Sequence, residues 1–324
     1  MRKLLLAIVL ACAAPAAASA DLIVVDAAGG GDFTDLPAAI DAAQPGDLLL
    51  LRPGSYSGHG FMNSKPLDIV ADGPDGSVRV VSLWRIFNLT AGESLVIRGL
   101  AFDEAPFELS NSVGPVRVED CSFDGKDQAP LFPNGWPAAS LLNCSAVSFV
   151  RCADVRGGDG SDGNLGLWIR ESQFALLSTA VHGGRGVSYG AEQHGAGGDG
   201  GPAVALFDGS SLVAVGGSIT GGEGGSGGVL FDPPFAYPGG DGGIGLLLDS
   251  PADAATLREV TLAGGAGGFS LSRPGLPGDP LSAPPGTVAL DPETSRHFQC
   301  SSVVRPGQSV SLAFGGQPGE TVLL

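Results

Sequence analysis

The sequence predicts an all-β chain folded as a right-handed parallel β-helix with a short N-terminal capping helix. Three observations carry that expectation: an opening of strand, helix and strand, a recurring ladder of apolar residues, and glycine runs at one phase of that ladder.

The opening reads in order. Leu22-Ile23-Val24-Val25 is strand-like, and Gly29-Gly30-Gly31-Asp32 turns it. Residues 34–43 then form a short amphipathic helix: Thr34 or Asp35 caps it, Pro37 sits where a missing N–H is harmless, and Leu36, Ile40 and Ala43 share one face. Gln44-Pro45-Gly46 ends it. Asp47 to Arg52 reads as a strand buried on both sides, turned by Pro53-Gly54-Ser55-Tyr56.

The ladder follows, with apolar residues at i, i+2, i+5 and i+7. Its instances are Leu95, Ile97, Leu100, Phe102; Val116, Val118, Cys121, Phe123; Ser148, Val150, Ala153, Val155; Phe174, Leu176, Thr179, Val181; Leu212, Ala214, Gly217, Ile219; and Ala255, Leu257, Val260, Leu262. Positions i and i+2 point inward from one strand, a two-residue corner shifts the phase, and i+5 and i+7 point inward from the next. A third short apolar segment precedes the later instances, as at Leu165 to Ile169, Val204 to Phe207 and Leu246 to Leu248, which makes three strands per coil. The nine residues Ile97, Leu100, Phe102, Val118, Phe123, Leu176, Val181, Ile219 and Leu262 are thus expected in one continuous core.

After each bend come glycine runs beginning at 157, 183, 221 and 264, so Asp159, Arg185, Glu223 and Ala266 should line one edge. The intervals from Phe102 to Phe123, Val155, Val181, Ile219 and Leu262 are 21, 32, 26, 38 and 43 residues, which a solenoid accommodates only if the extra length leaves at one corner. Read as mobile loops, these runs would use glycine for the positive φ of tight corners.

Two resemblances follow from these residues. Gly31-Asp32-Phe33-Thr34, Ala38 to Ala43, Pro45-Gly46-Asp47 and Pro53 to Gly58 resemble the first coil of pectin-lyase-like β-helix proteins, in which such a helix caps the open end of the solenoid. The body resembles glycine-rich β-helix proteins secreted by environmental bacteria. The resemblance implies a solenoid whose best-known members are polysaccharide lyases, glycoside hydrolases and esterases.

Residues 1–20 read as a secretory signal peptide, with Arg2 and Lys3, an apolar run from Leu4 and a small-residue end at Ala18-Ser19-Ala20. Lipoprotein processing at Cys12 is the rival. Residues 21–268 are the capped solenoid and the Pro- and Gly-rich 269–295 a linker or covering strap. Residues 296–324 are a short β segment that ends within an apolar strand, either a sheet pairing or a truncated gene. Loss of the signal peptide leaves 15 basic residues against 34 acidic, a charge of −19. That charge excludes nucleic acid, whose phosphates need clustered Lys and Arg, and disfavours polyanionic sugars unless calcium bridges carboxylates. No later segment is apolar for long enough to span a bilayer. Four cysteines remain (Cys121, Cys144, Cys152, Cys300), open to three disulfide pairings or to a buried thiol stack. The ladder places Cys121 inward and Cys152 one residue off phase, so the two should point differently.

Candidate chemistry is sparse. Gly58-His59-Gly60 copies a polygalacturonase tripeptide without that family's Asn-Thr-Asp, Asp-Asp or Arg-Ile-Lys partners, and the pectinesterase segments are absent. Arg117, Arg151 and Arg170 lie near ladder strands without an obvious carboxylate cluster. Pairs such as Glu119 and Asp120 qualify for glycosidase chemistry only if two carboxyls come within about 5 to 10 Å. Gly157 to Asp162 copies the start of a calcium-binding nonapeptide, which offers Asp159, Asp162 and Glu223 to Ca2+, but the pattern fails at Asn164 and does not recur. His59, His182, His194 and His297 are too scattered for zinc. Trp168 faces outward and is the candidate stacking platform for carbohydrate.

The leading expectation is an exported noncatalytic scaffold or surface protein presenting glycine-rich loops, with polysaccharide or cell-surface components as partners. The alternative is a polysaccharide-degrading or modifying enzyme. A groove holding close carboxylates, or carboxylates with a basic residue, favours the enzyme; a bare, apolar or glycine-lined face favours the scaffold.

Overall fold

The computed structural model describes residues 20–58, 60–127, 136–231, 234–291, 297–300 and 312–315. Residues 1–19 of the segment expected as a signal peptide, Cys12 among them, and His59 lie outside them.

Three parallel sheets run the length of a β-helix. The first sheet stacks Leu22–Val25, Leu48–Leu51, Asp68–Ala71, Leu95–Arg98, Val116–Glu119 and Val147–Val150, then continues through the first halves of Gln173–His182 and Ser211–Thr220 to Ala254–Arg258 and Val288–Leu290. The second stacks Gly54–Tyr56, Val78–Val80, Leu100–Phe102, Ser122–Asp124 and Asp154–Arg156, then the second halves of the two long strands and Thr261–Ala263. The third runs from Gly60–Asn63 through Trp84–Phe87, Phe107–Ser112, Ala139–Cys144, Leu167–Arg170, Val204–Phe207 and Leu246–Leu248 to Leu281–Ser282.

The cap forms as its residues dictate. The helix Leu36–Ala42 starts at Asp35, whose carboxylate accepts the Ala38 N–H, and it buries Leu36, Ala39 and Ile40 against the first coil. Covering the solenoid end hides a sheet edge that would otherwise template aggregation.

The ladder residues fill one core. Of the nine expected there, all are buried except Leu262, which is half-buried against the same cluster. Aromatic rings continue the stack from coil to coil: Phe123 lies 4.6 Å from Phe102 and 5.1 Å from Phe149, both nearly parallel, and meets Phe107 edge-on at 5.4 Å.

One rung sits one residue earlier than the offsets predict. Val147 and Phe149 pair with Val116 and Val118 and face inward, while Ser148 does not, and Ala153 is exposed. Arg151 takes a left-handed φ of 53° and so aligns with Asp120 (φ 52°), which leaves Ala153 as an extra residue before Val155. Cys152 is therefore the equivalent of Cys121, and the expectation that the two point differently is corrected. Each thiol lies over a carbonyl of the preceding coil, Cys121 over Ile97 and Cys152 over Val118, and Thr179 takes the same position next.

Cys121, Cys144 and Cys152 are free and buried. Burial pushes the Cys152 thiol up to about 12 and the other two upward. Since the thiolate is the nucleophile, none of the three should react with iodoacetamide at pH 8 in the native protein, and all three should after denaturation. Peptide mapping that finds a native adduct on any of them would contradict this core.

The glycine runs are not independent loops. Between the second and third sheets the chain leaves the solenoid, runs out along one layer and returns along another. Within a layer every third residue donates to the next coil: Gly183, Gly186 and Tyr189 to the carbonyls of Thr220, Glu223 and Ser226, and Gly221, Gly224 and Gly227 to those of Ala263, Ala266 and Phe269. Between layers the bonds zigzag, from Gly201 to Gly184, Gly222 to Gly201, Gly243 to Gly222 and Gly265 to Gly243. A three-residue period is that of the polyproline II helix, which ordinarily leaves its backbone to water but here pairs it on three sides. The third residue of each triplet faces outward, and carboxylates supply its missing acceptor: Asp162 accepts from Asp199 N–H, Asp199 from Asp241 and Asp241 from Leu276. The glycines at 157, 183, 221 and 264 carry no positive φ, so the reason for glycine is close approach rather than a left-handed corner.

The Pro- and Gly-rich segment expected as a linker or strap continues the architecture as far as Asp291. Gly275 and Gly278 donate to Gly268 and Gly265, Leu281–Ser282 joins the third sheet, and Val288–Leu290 joins the first. Its prolines fall where no ladder N–H is required. Farther on, His297–Cys300 and Leu312–Gly315 pair as antiparallel strands.

Candidate functional site: a carboxylate groove on the second sheet

Strands of three residues leave little choice of orientation. In Ser122–Asp124, burial of Phe123 turns Ser122 and Asp124 outward, and burial of Val155 does the same for Asp154 and Arg156 one coil on. Val78 and Val80 present Arg79 in the same way, and Phe102 is followed by an outward Asp103. Because Phe123 pairs with Phe102 and Asp124 with Arg156, Asp103, Asp124 and Arg156 occupy one column on three successive coils.

These side chains line a groove of about 180 Å3, walled by Arg79, Asp103, Asp124, Asp154 and Arg156. It continues past Asp154 and Arg156 into a wider groove of about 470 Å3, whose lining adds His182, Arg185, Thr220 and Glu223 over the outgoing glycine layer. Asp103 is ion-paired with Arg79, and Arg156 reaches Asp159 at 2.8 Å. Asp124 opens to solvent, and its carboxyl is raised from the ordinary aspartate value. Desolvation by the groove walls is the largest cause, Arg156 opposes it, and the charges of Asp127, Asp103 and Asp154 add to it. A carboxyl that holds its proton to higher pH than its carboxylate neighbours is the arrangement that separates an acid from a base.

Of the residues singled out from sequence, Glu223, Arg185 and His182 line the wider groove and Asp159 borders it through Arg156, while the others lie elsewhere. Asp159 and Glu223 do share the edge with Arg185: Asp159 accepts the Arg185 N–H at 2.8 Å, and Arg185 pairs with Glu223 at 3.2 Å. Asp162 lies on the returning layer beneath Asp199, so the three candidate calcium ligands do not converge. Among the described residues no group of three or more His, Cys, Asp or Glu side chains could hold a metal ion. Trp168 faces outward in register with Ser140 and Ala205 but is half-buried, its ring 6.1 Å from Phe207. Glu119 and Asp120 belong to a corner network, where Asp120 binds Arg151 at 2.8 Å and Arg98 at 3.1 Å and Glu119 pairs with Arg117. Arg170 is paired with Asp208 at 2.6 Å.

Asp103, Asp124 and Asp154 escaped the sequence reading. The usable signal was the residue just after the last rung of the ladder, which is Asp103 after Phe102, Asp124 after Phe123 and Arg156 after Val155. Outward positions carry no hydrophobic period, so only the coil alignment brings them together.

The fold and groove together define a parallel β-helix protein with an acidic groove on its second sheet. No protein-family model matches the sequence, and no curated protein matches it. Among solved structures, a pectin methylesterase from Aspergillus niger in deglycosylated form is similar at 13% identity, over 74% of this chain and 75% of that one, with a TM-score of 0.24. No helix among the described residues is long and apolar enough to cross a membrane.

Proposed function

We propose that the chain is an exported protein that hydrolyses glycosidic bonds of a polysaccharide laid along this groove. The observation that carries the reading is the column of Asp103, Asp124 and Arg156, flanked by Asp154 and Arg79. Asp124, protonated to higher pH than an ordinary aspartate, donates its proton to the leaving oxygen. Asp103, its neighbour one coil away, is about one strand spacing of 4.8 Å distant at the backbone, and both side chains leave the same face of the sheet, as the paired carboxyls of a glycosidase must. It acts as nucleophile or base, oriented by Arg79. The formal charge of −19 after signal-peptide loss favours a neutral glycan over a polyuronate.

The test is reducing-end release from neutral β-glucans, xylans and mannans. Asp124→Asn should lower kcat/KM by about a hundredfold or more with an unchanged melting temperature. Activity should fall as pH rises through the raised pKa of Asp124, since the protonated form is the reactive one. Equal rates for wild type and Asp124→Asn would remove Asp124 from the mechanism. No release from any substrate would instead favour the second reading, a noncatalytic scaffold, which is supported by the hydrogen-bonded glycine layers projecting from one corner.

A further inference from the structure

The glycine layers end in a concentration of exposed aromatic and apolar side chains that the groove does not use. At the free end the chain turns through residues 189–195, the antiparallel pair Val229–Phe231 and Pro234–Ala236, and residues 269–273. Phe231 is 65% exposed, Phe235 55%, Phe269 65% and Leu271 69%, on a chain in which only 6% of residues are aromatic. Solvent-facing aromatic rings grouped in this way mark a binding surface rather than random exposure.

The group has internal order. The rings of Phe235 and Tyr237 meet edge-on at 4.8 Å, and the His194 Nδ1 lies 3.3 Å from the Tyr237 hydroxyl. The Tyr189 ring covers Gly195, where any Cβ would stand 2.6 Å from its Cζ. The platform is fixed from below, because the Gly228 N–H donates to Gly195, the Tyr237 N–H to Gly228, and the Ser270 hydroxyl to the Tyr237 carbonyl. That last bond sets Phe269 and Leu271 on either side of Ser270, next to Tyr237.

We propose that this tip is a saccharide-binding site for a neutral or N-acetylated glycan, formed by Phe235, Tyr237, His194 and Tyr189 and separate from the groove. Ring faces take the C–H face of a pyranose, while the Tyr237 hydroxyl and the His194 imidazole offer a donor and an acceptor to its hydroxyls. Aromatic side chains lose little rotamer entropy on binding, and a rigid base loses little more. Charge selects among occupants: on a strongly acidic chain, a tip built of rings with Arg273 beside Ser270 as its neighbouring cation gives little attraction to phosphate, sulfate or anionic lipid.

The test uses the full chain, titrated with cellohexaose, chitohexaose and mannohexaose by protein-observed NMR. At least one should bind, with Phe235→Ala and Tyr237→Ala each weakening it about tenfold or more. The titration is repeated on Asp124→Asn, which does not cleave the sugars, and the shifted resonances should be those of residues 189–195, 228–230 and 235–237 and not those of Asp103 or Arg156, which separates this site from the groove whether or not the groove is catalytic. Both tip variants should melt with the wild type, since the residues changed carry no core contact. The proposal is overturned if none of the three sugars binds, if the tip variants bind as well as wild type, or if those variants turn a wild-type dimer into a monomer, which would make the tip a self-association surface.

Discussion

Gly222→Val should abolish the native state, whereas Gly92→Val should be nearly silent. A Cβ built on Gly222 stands 1.8 Å from the Gly184 carbonyl oxygen and 3.0 Å from the Gly183 carbonyl carbon. Real Cβ contacts never come that close, and the obstacle is backbone, which cannot swing aside. Gly184 in turn accepts the Gly201 N–H, and Gly201 accepts that of Gly222, so moving one segment disconnects the zigzag that holds both layers. The cost is the destabilisation of overpacking plus several orphaned backbone groups, on the order of 5 kcal/mol or more. Gly92 has open space around its missing side chain and an ordinary φ, so its change should fall within about 0.5 kcal/mol. Guanidinium unfolding of both variants measures the contrast. A Gly222→Val protein with a wild-type midpoint would show that the layers are not packed.

The same geometry revises what the glycine runs mean. Read as loops, they predict intolerance at their roots and tolerance farther out. Added Cβ atoms at Gly221 near the root and at Gly225 and Gly227 beyond it would lie 1.9, 1.7 and 2.1 Å from backbone oxygens, so intolerance extends along the run. The Gly-Gly-X triplets were visible in the sequence. Their consequence was not, because a period of three has no hydrophobic partner to declare it and is satisfied only by segments far apart in the chain. By contrast, the cap and the ladder were legible. Leu36, Ile40 and Ala43 obey helical spacing, and Leu95, Ile97, Leu100 and Phe102 obey a strand period reset by a two-residue corner. The ladder slipped only at Val147 to Ala153, where a left-handed Arg151 and the extra Ala153 change the corner length. Outward residues such as Asp124 obey no period at all. Their grouping depends on register between coils, which a single sequence does not print.

Phe123→Ala should cost about 3 to 5 kcal/mol, the largest effect expected from truncating one core side chain. Phe123 is 1% exposed, lies between Phe102 and Phe149 in a continuous ring stack, and touches the edge of Phe107 from the third sheet. Truncation removes contacts with two coils at once. In a solenoid each coil is stabilised mainly by its neighbours, so a weak central interface divides the array. The denaturation curve should therefore broaden or separate into two steps as well as shift. Phe123→Leu keeps much of the volume and should cost roughly 1.5 kcal/mol or less. The substitution also bears on the groove, because the inward Phe123 is what holds Asp124 outward beside Asp103. Phe123→Leu should thus reduce reducing-end release more than it reduces stability. A Phe123→Leu protein with full activity, beside an inactive Asp124→Asn, would mean that Asp124 is held in place by the backbone pairing alone.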